Sequence, residues 1–131
     1  MPQVITHDDT HEWVDVGPKL QKFLTAADIG LSTSIAASGS NLSNLIVSNG
    51  YGAFAVGVTS SQAGTLTIQR YLDAQGTIVQ GAALTATLTA ATAAIVNATD
   101  GVPFGSFTVS VSNTGTAAAT LTNTGVLLQA W

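Results

Sequence analysis

The sequence predicts an all-β protein: an antiparallel β-sandwich of about eight strands, arranged as a jelly roll and preceded by an extended N-terminal arm. Three observations predict it. Apolar and polar residues alternate with period two in most of the chain, as in strands with one buried face. Turn residues punctuate these runs at short intervals. The chain is rich in threonine, valine and isoleucine, which suit a pleated surface better than a helix.

The elements follow in order. Leu31–Ala37 and Leu42–Ser48 are the first two expected strands of the sandwich. Asn49-Gly50 then signals a tight reverse turn. Phe54, Val56 and Val58 alternate with Ala53, Ala55 and Gly57. Leu66 and Ile68 alternate with Thr65, Thr67 and Gln69. Asp73-Ala74-Gln75-Gly76 is expected as a hairpin connection with glycine in the left-handed position, leading into a strand over Thr77–Gln80. Ala82–Ala98 offers both helical spacing and alternation. Threonines at 85, 87, 89 and 92 weaken a helix, so strand is expected. Asp100-Gly101-Val102-Pro103 and Asn113-Thr114-Gly115 break the chain around Phe107, Val109 and Val111, which alternate with Thr108 and Ser110. Gly125–Trp131 closes the series.

Charge divides the chain. Of its 131 residues only 8% are charged, and the net charge is −4. Soluble domains average about 25% charged residues. Residues 1–28 hold most of the charges and form the expected arm. Residues 29–131 hold only Arg70, Asp73 and Asp100 and form the expected β-sandwich domain. A surface so poor in ions is expected to rest partly on hydroxyl and amide groups and partly on burial against neighbouring subunits. With three permanent cations the chain cannot neutralise a run of phosphates, so no nucleic-acid partner is expected. The N-terminus has no basic stretch followed by an apolar one, so no signal peptide is expected. No apolar run approaches the ~20 residues of a membrane span, so no membrane partner is expected. The chain has no cysteine, which excludes disulfides and thiolate metal sites.

Few constellations suggest chemistry. His7-Asp8-Asp9-Thr10-His11 gathers metal-ligand types, but no closing ligand is identifiable elsewhere, and it reads as a solvated polar arm. Gly50-Tyr51-Gly52-Ala53-Phe54-Ala55 matches a dinucleotide fingerprint in letters. The residues after it alternate as a strand instead of opening a helix, so it reads as a turn between strands. Both histidines lie in the arm, away from most serines, and there is no nucleophile-elbow motif. Asp73 and Asp100 sit where aspartate caps turns. Asn41-Leu42-Ser43 and Asn97-Ala98-Thr99 match the glycosylation sequon by composition alone. The protein is therefore expected to be no enzyme, with no catalytic residues, no cofactor and no metal. Trp13, Phe23, Tyr71 and Trp131 are the candidate interface residues. Tyr71 is expected on the same outward strand face as Thr65, Thr67 and Gln69.

GTLTIQRYLDAQGTIVQG at 64–81, the Ala/Thr-rich segment after it, and DGVPFGSFTVSVSNTGTAAATLTNTGVLLQAW at 100–131 together carry a resemblance. This half of the chain resembles the small jelly-roll cement or decoration proteins of tailed-bacteriophage capsids, and related β-sandwich modules of phage tails. The resemblance implies a protein made in the host cytoplasm that binds the exterior of the virion. Its partners would be the major capsid protein and itself, as a dimer or trimer, with residues 1–24 as a clasping arm. The alternative is a tail, fibre or spike module that recognises a host-surface glycan or protein. A secreted adhesive β-sandwich is a third reading.

Overall fold

Alternation builds the strands and sheet pairing orders them. The structure, a computed structural model, describes residues 5–6, 14–15 and 20–130. Its strands are β1 (Ile5–Thr6), β2 (Val14–Asp15), β3 (Gln21–Thr25), β4 (Ser34–Ile35), β5 (Ser40–Leu42) and β6 (Ile46–Val47). There follow β7 (Tyr51–Ser60), β8 (Gly64–Tyr71), β9 (Leu84–Leu88), β10 (Ala93–Ala98), β11 (Ser106–Asn113) and β12 (Ala119–Ala130). No helix occurs among the described residues. β1 and β2 pair with each other. The remaining strands form two antiparallel sheets, one in the order β10-β7-β12-β3 and one in the order β5-β11-β8-β9. β4 adds to the end of β12 and β6 continues β5 along β11.

The pairings nest. β8 pairs with β9, β7 with β10, β5 with β11 and β3 with β12. The chain is thus a long hairpin rolled up so that its strands fall alternately on two sheets, which is the jelly roll the sequence predicts. Between the sheets lies one core. β7 and β12 contribute Phe54, Val56, Val58, Val126 and Leu128, and β8 and β11 contribute Leu66, Ile68, Phe107, Val109 and Val111. Phe54 stacks on Phe107 with ring centroids 4.1 Å apart, and Phe104 packs edge-on against both. Such aromatic clusters add to the burial of their own area.

The turn chemistry holds where backbone sign demands it. Asn49 and Gly50 both have positive φ, and Tyr51 N–H donates to Ser48 O at 2.9 Å, closing a tight reverse turn that carries the chain from one sheet to the other. Gly76 is left-handed as expected, with φ 70°.

Several expected strands are shorter or absent. Only Ser34–Ile35 of Leu31–Ala37 pairs, and the side-chain amide of Asn41 takes the carbonyls of Ser32 and Ser34. Leu42–Ser48 is broken at Ser43. The hydroxyl there accepts the Val109 N–H at 2.9 Å, so the chain bends between β5 and β6. Thr77–Gln80 forms no strand. Asp73 accepts the N–H groups of Thr77 and Ile78 and holds the segment as a loop, with a single bridge between Tyr71 and Val79. Ala82–Ala98 is extended, but as two strands in different sheets, joined through Ala91 at φ 60°. The segment 21–28, placed with the arm by its charges, includes β3 and the turn after it, so the sandwich starts there and not at residue 29.

At one end of the sandwich Asn113 ties three segments together. Its side chain is buried. It donates to the carbonyls of Ile35 (3.3 Å), Ala36 (3.2 Å) and Ala117 (2.8 Å) and accepts the N–H of Gly115 (2.9 Å). Asn113→Ala would remove these four hydrogen bonds and empty a buried position, while the Ala36 carbonyl keeps the Gly39 N–H, at a cost of about 2 kcal/mol. A denaturant titration checks this: the midpoint should fall with an unchanged slope. A variant as stable as the parent would mean the network contributes nothing net.

Candidate interaction surface

Period two gives each sheet an outer face, and the two outer faces differ. On the β5-β11-β8-β9 sheet the outward rows are hydroxyl-rich: Thr65, Thr67, Ser110, Ser112, Thr85 and Thr87. Gln69 and Tyr71 continue the β8 row, and Tyr71 is half-buried. Tyr71 thus shares a face with Thr65, Thr67 and Gln69.

The outer face of the β10-β7-β12-β3 sheet is built otherwise. One row runs Phe23, Leu127, Ala55, Asn97, and the next runs Thr25, Gly125, Gly57, Ile95. The floor is therefore alanine and glycine, since inward Phe54, Val56 and Val58 put Ala53, Ala55 and Gly57 outward. A shallow depression of about 200 Å³ lies there, lined partly by Ala53, Ala55, Asn97, Leu127 and Gln129. Phe23 stands 61% exposed on one side and Ile95 62% exposed on the other. The Phe23 ring lies over Gly125, where a Cβ would collide with it. No side chain of this face is ionisable. A shallow, charge-free sheet face with Phe23, Leu127 and Ile95 among a few amide and hydroxyl groups is suited to packing against another protein surface.

The five charged side chains at 20–130 all lie off both outer faces. Lys22 and Asp28 border a groove of about 240 Å³ at the open side between β3 and β6. Asp28 and Thr25 cap each other's N–H across the turn after β3, which holds the Asp28 carboxyl below the usual carboxylate range. Arg70 is on the core-facing row of β8 and is buried to 6% exposure. Its guanidinium reaches the end of the sandwich and meets Asp100 in a two-pronged ion pair of 2.9 and 3.0 Å. That pairing, with the Val102 N–H, lowers the Asp100 carboxyl to about 2. The Thr77 hydroxyl and the N–H groups of Ile78 and Thr77 lower the Asp73 carboxyl to about 2. Both aspartates cap turns. Among the described residues no group of three metal-ligating side chains gathers.

Two of the four expected interface residues can be placed. Phe23 and Tyr71 stand on opposite faces of the sandwich, while Trp13 and Trp131 lie outside the described residues, as do His7 to His11. Sequence reasoning missed Ile95, Leu127 and the alanine–glycine floor. The signal was present: a strand with small residues on its polar side needs an outer surface that is neither charged nor hydroxylated. Also missed was the apolar loop tip of Leu72, Ile78 and Val79, each more than half exposed.

No protein-family model matches the chain, and no curated protein matches it either. Among solved structures, a family two carbohydrate esterase from Cellvibrio japonicus is similar over 87% of this chain and 35% of its own, with 12% identity and a TM-score of 0.49. The CBM22-1-GH10 modules of Clostridium thermocellum endo-1,4-beta-D-xylanase 10B, complexed with xylohexaose, are similar over 83% of this chain and 26% of their own, with 12% identity and a TM-score of 0.41. The chain spans about a third or less of those proteins.

The lowered carboxyls set an acid limit. A carboxyl whose folded pKa lies below its unfolded value stabilises the fold above the unfolded pKa and loses that contribution as pH falls through the folded one. The window for Asp73 and Asp100 runs from 3.8 down to about 2. The melting temperature should be flat above about pH 5 and fall steeply below about pH 4. Asp100→Asn, which leaves the buried Arg70 charge unpaired, should cost about 2 kcal/mol at neutral pH and flatten the acid slope. Thermal melts across pH measure both.

Proposed function

We propose that the protein is a non-enzymatic structural component of a virion, binding the assembled capsid exterior and stabilising it through subunit contacts. The single observation that carries this reading is the charge-free outer face of the β10-β7-β12-β3 sheet, with Phe23 and Ile95 exposed above an alanine–glycine floor. The contact there would be made mostly by apolar area. A component that binds the assembled lattice and not its free subunits stabilises the lattice by its own binding free energy. Repetition by symmetry multiplies weak contacts. The partner would be the major capsid protein, and residues 1–19 would serve as a clasp. That segment ends before β3, so removing it spares the edge strand.

A second reading, glycan or host-surface recognition by a tail or spike module, draws on the other face. There Tyr71 stands beside Gln69, an aromatic next to uncharged hydrogen-bonding groups.

Quantitative mass spectrometry of purified particles separates the two. Hundreds of copies per particle are expected for a capsid-binding component, and a dozen or fewer would favour the tail reading. Absence from every particle fraction would overturn both. Phe23→Lys should reduce particle occupancy at least tenfold in co-sedimentation, because it places a charge on an apolar contact. Molar salt should leave wild-type occupancy unchanged, since few ions would be screened. Loss of occupancy in salt would mean that charged contacts, not this face, hold the protein.

A further inference from the structure

Both open edges of a sheet are templates for another strand, and proteins usually blunt them with charge, proline, bulges or brevity. Three of the four edges here are blunted or short. β5 and β6 are two to three residues long and split at Ser43. β3 is five residues and carries Lys22. β9, also uncharged and in unbroken register with β8, is one residue shorter than β10 and exposes no large apolar side chain at its centre. β10 differs. All six of its residues pair with β7 in unbroken register, and among the described residues nothing pairs on its other side. It carries no charge and no proline. Ile95 stands in its middle, 62% exposed and leaning over Gly57.

The surroundings of β10 are as bare. Residues 74–99, which include both β9 and β10, hold no Asp, Glu, Lys or Arg. The chain's net charge of −4 arises elsewhere. Two copies of an acidic chain meet with least repulsion where neither carries charge. An antiparallel edge is also self-complementary about a two-fold axis perpendicular to the sheet. That operation pairs β10 with β10 of a second copy, places the two Ile95 side chains close together on the same face, and satisfies the free backbone groups of both.

We propose that the protein forms a two-fold dimer by antiparallel β10–β10 pairing, joining the two charge-free faces into one continuous eight-stranded sheet. This rests on reading the protein as an assembly component, and it names the partner on that side of the face as a second copy of the chain. The dimer would offer its capsid partner twice the contact area with Ile95 of both copies at its centre.

The full chain and two variants test it, each checked for folding by its circular dichroism melt. Sedimentation equilibrium should give twice the chain mass for the wild type. Ile95→Lys should give the single-chain mass, because two ammonium groups would face each other across the two-fold. Phe23→Lys, on the far strand of the same sheet, should remain dimeric. Amide exchange in 93–98 should slow as protein concentration rises. A wild type that stays at the single-chain mass overturns the proposal, as does a dimer that survives Ile95→Lys. Loss of the dimer in Phe23→Lys would mean face-to-face packing and also overturns it. If Ile95→Lys unfolds, Asn97→Lys on the same edge replaces it, with the same expected loss. A dimer that breaks as described yet never binds particles sinks the function proposed above and leaves this pairing standing.

Discussion

Burying Val56, Val58, Val126 and Leu128 in one core with Leu66, Ile68, Val109 and Val111 fixes the direction of every neighbouring side chain on those strands. With a period of two, a strand cannot bury Phe54 and Val56 without turning Ala53 and Ala55 outward. The outer faces are therefore set by the same register that makes the core. A one-residue slip of β7 against β12 would move valines into water and alanines into the core. The nested pairing of the jelly roll extends that constraint to both sheets, because the innermost hairpin, β8 with β9, and the outermost pair, β3 with β12, share the same roll.

The ends of the sandwich are held by a different interaction. Arg70 occupies a core-facing position next to Ile68, where a hydrophobic residue would be expected by alternation. Its side chain runs to the end of the sandwich, where its charge meets Asp100. Asp73 organises the neighbouring loop, and the hydroxyl of Ser106 donates to the Asp73 carbonyl at 2.7 Å, tying that loop to the first residue of β11. A fold with few charges thus uses three of them to close one end, and leaves none for the sheet faces.

Much of this was legible in the residues. The core rows of β7, β8 and β11 follow directly from alternation, and Asn49-Gly50 and Gly76 are where their signals place them. What was not legible has physical causes. Ser43 and Asn41 reroute the backbone through side-chain hydrogen bonds that depend on partners far along the chain, Val109 among them. The charges of Lys22 and Asp28 suggested an arm, yet an edge strand tolerates a lysine at its rim. The face around Ile95 needs the registers of four strands at once, so no single segment reveals it. Tyr71 could be assigned to its face from β8 alone, whereas its separation from Phe23 by the whole thickness of the sandwich required both sheets.

Low charge by itself does not locate a contact surface, because both outer faces lack charge. The difference lies in what replaces it. Threonine and serine hydroxyls on the β5-β11-β8-β9 sheet can each hydrogen-bond to water, so that face gains little from being covered and loses hydration when it is. Alanine, glycine, Leu127, Phe23 and Ile95 offer water almost nothing, and covering them releases apolar area at small desolvation cost. The two faces, equally poor in ions, therefore differ in degree: Leu42 stands exposed among the hydroxyls of one, and Thr25, Asn97 and Gln129 lie among the apolar residues of the other. The proposed association therefore falls on the side that carries β3 and β10 at its rims, where covering the surface costs least hydration.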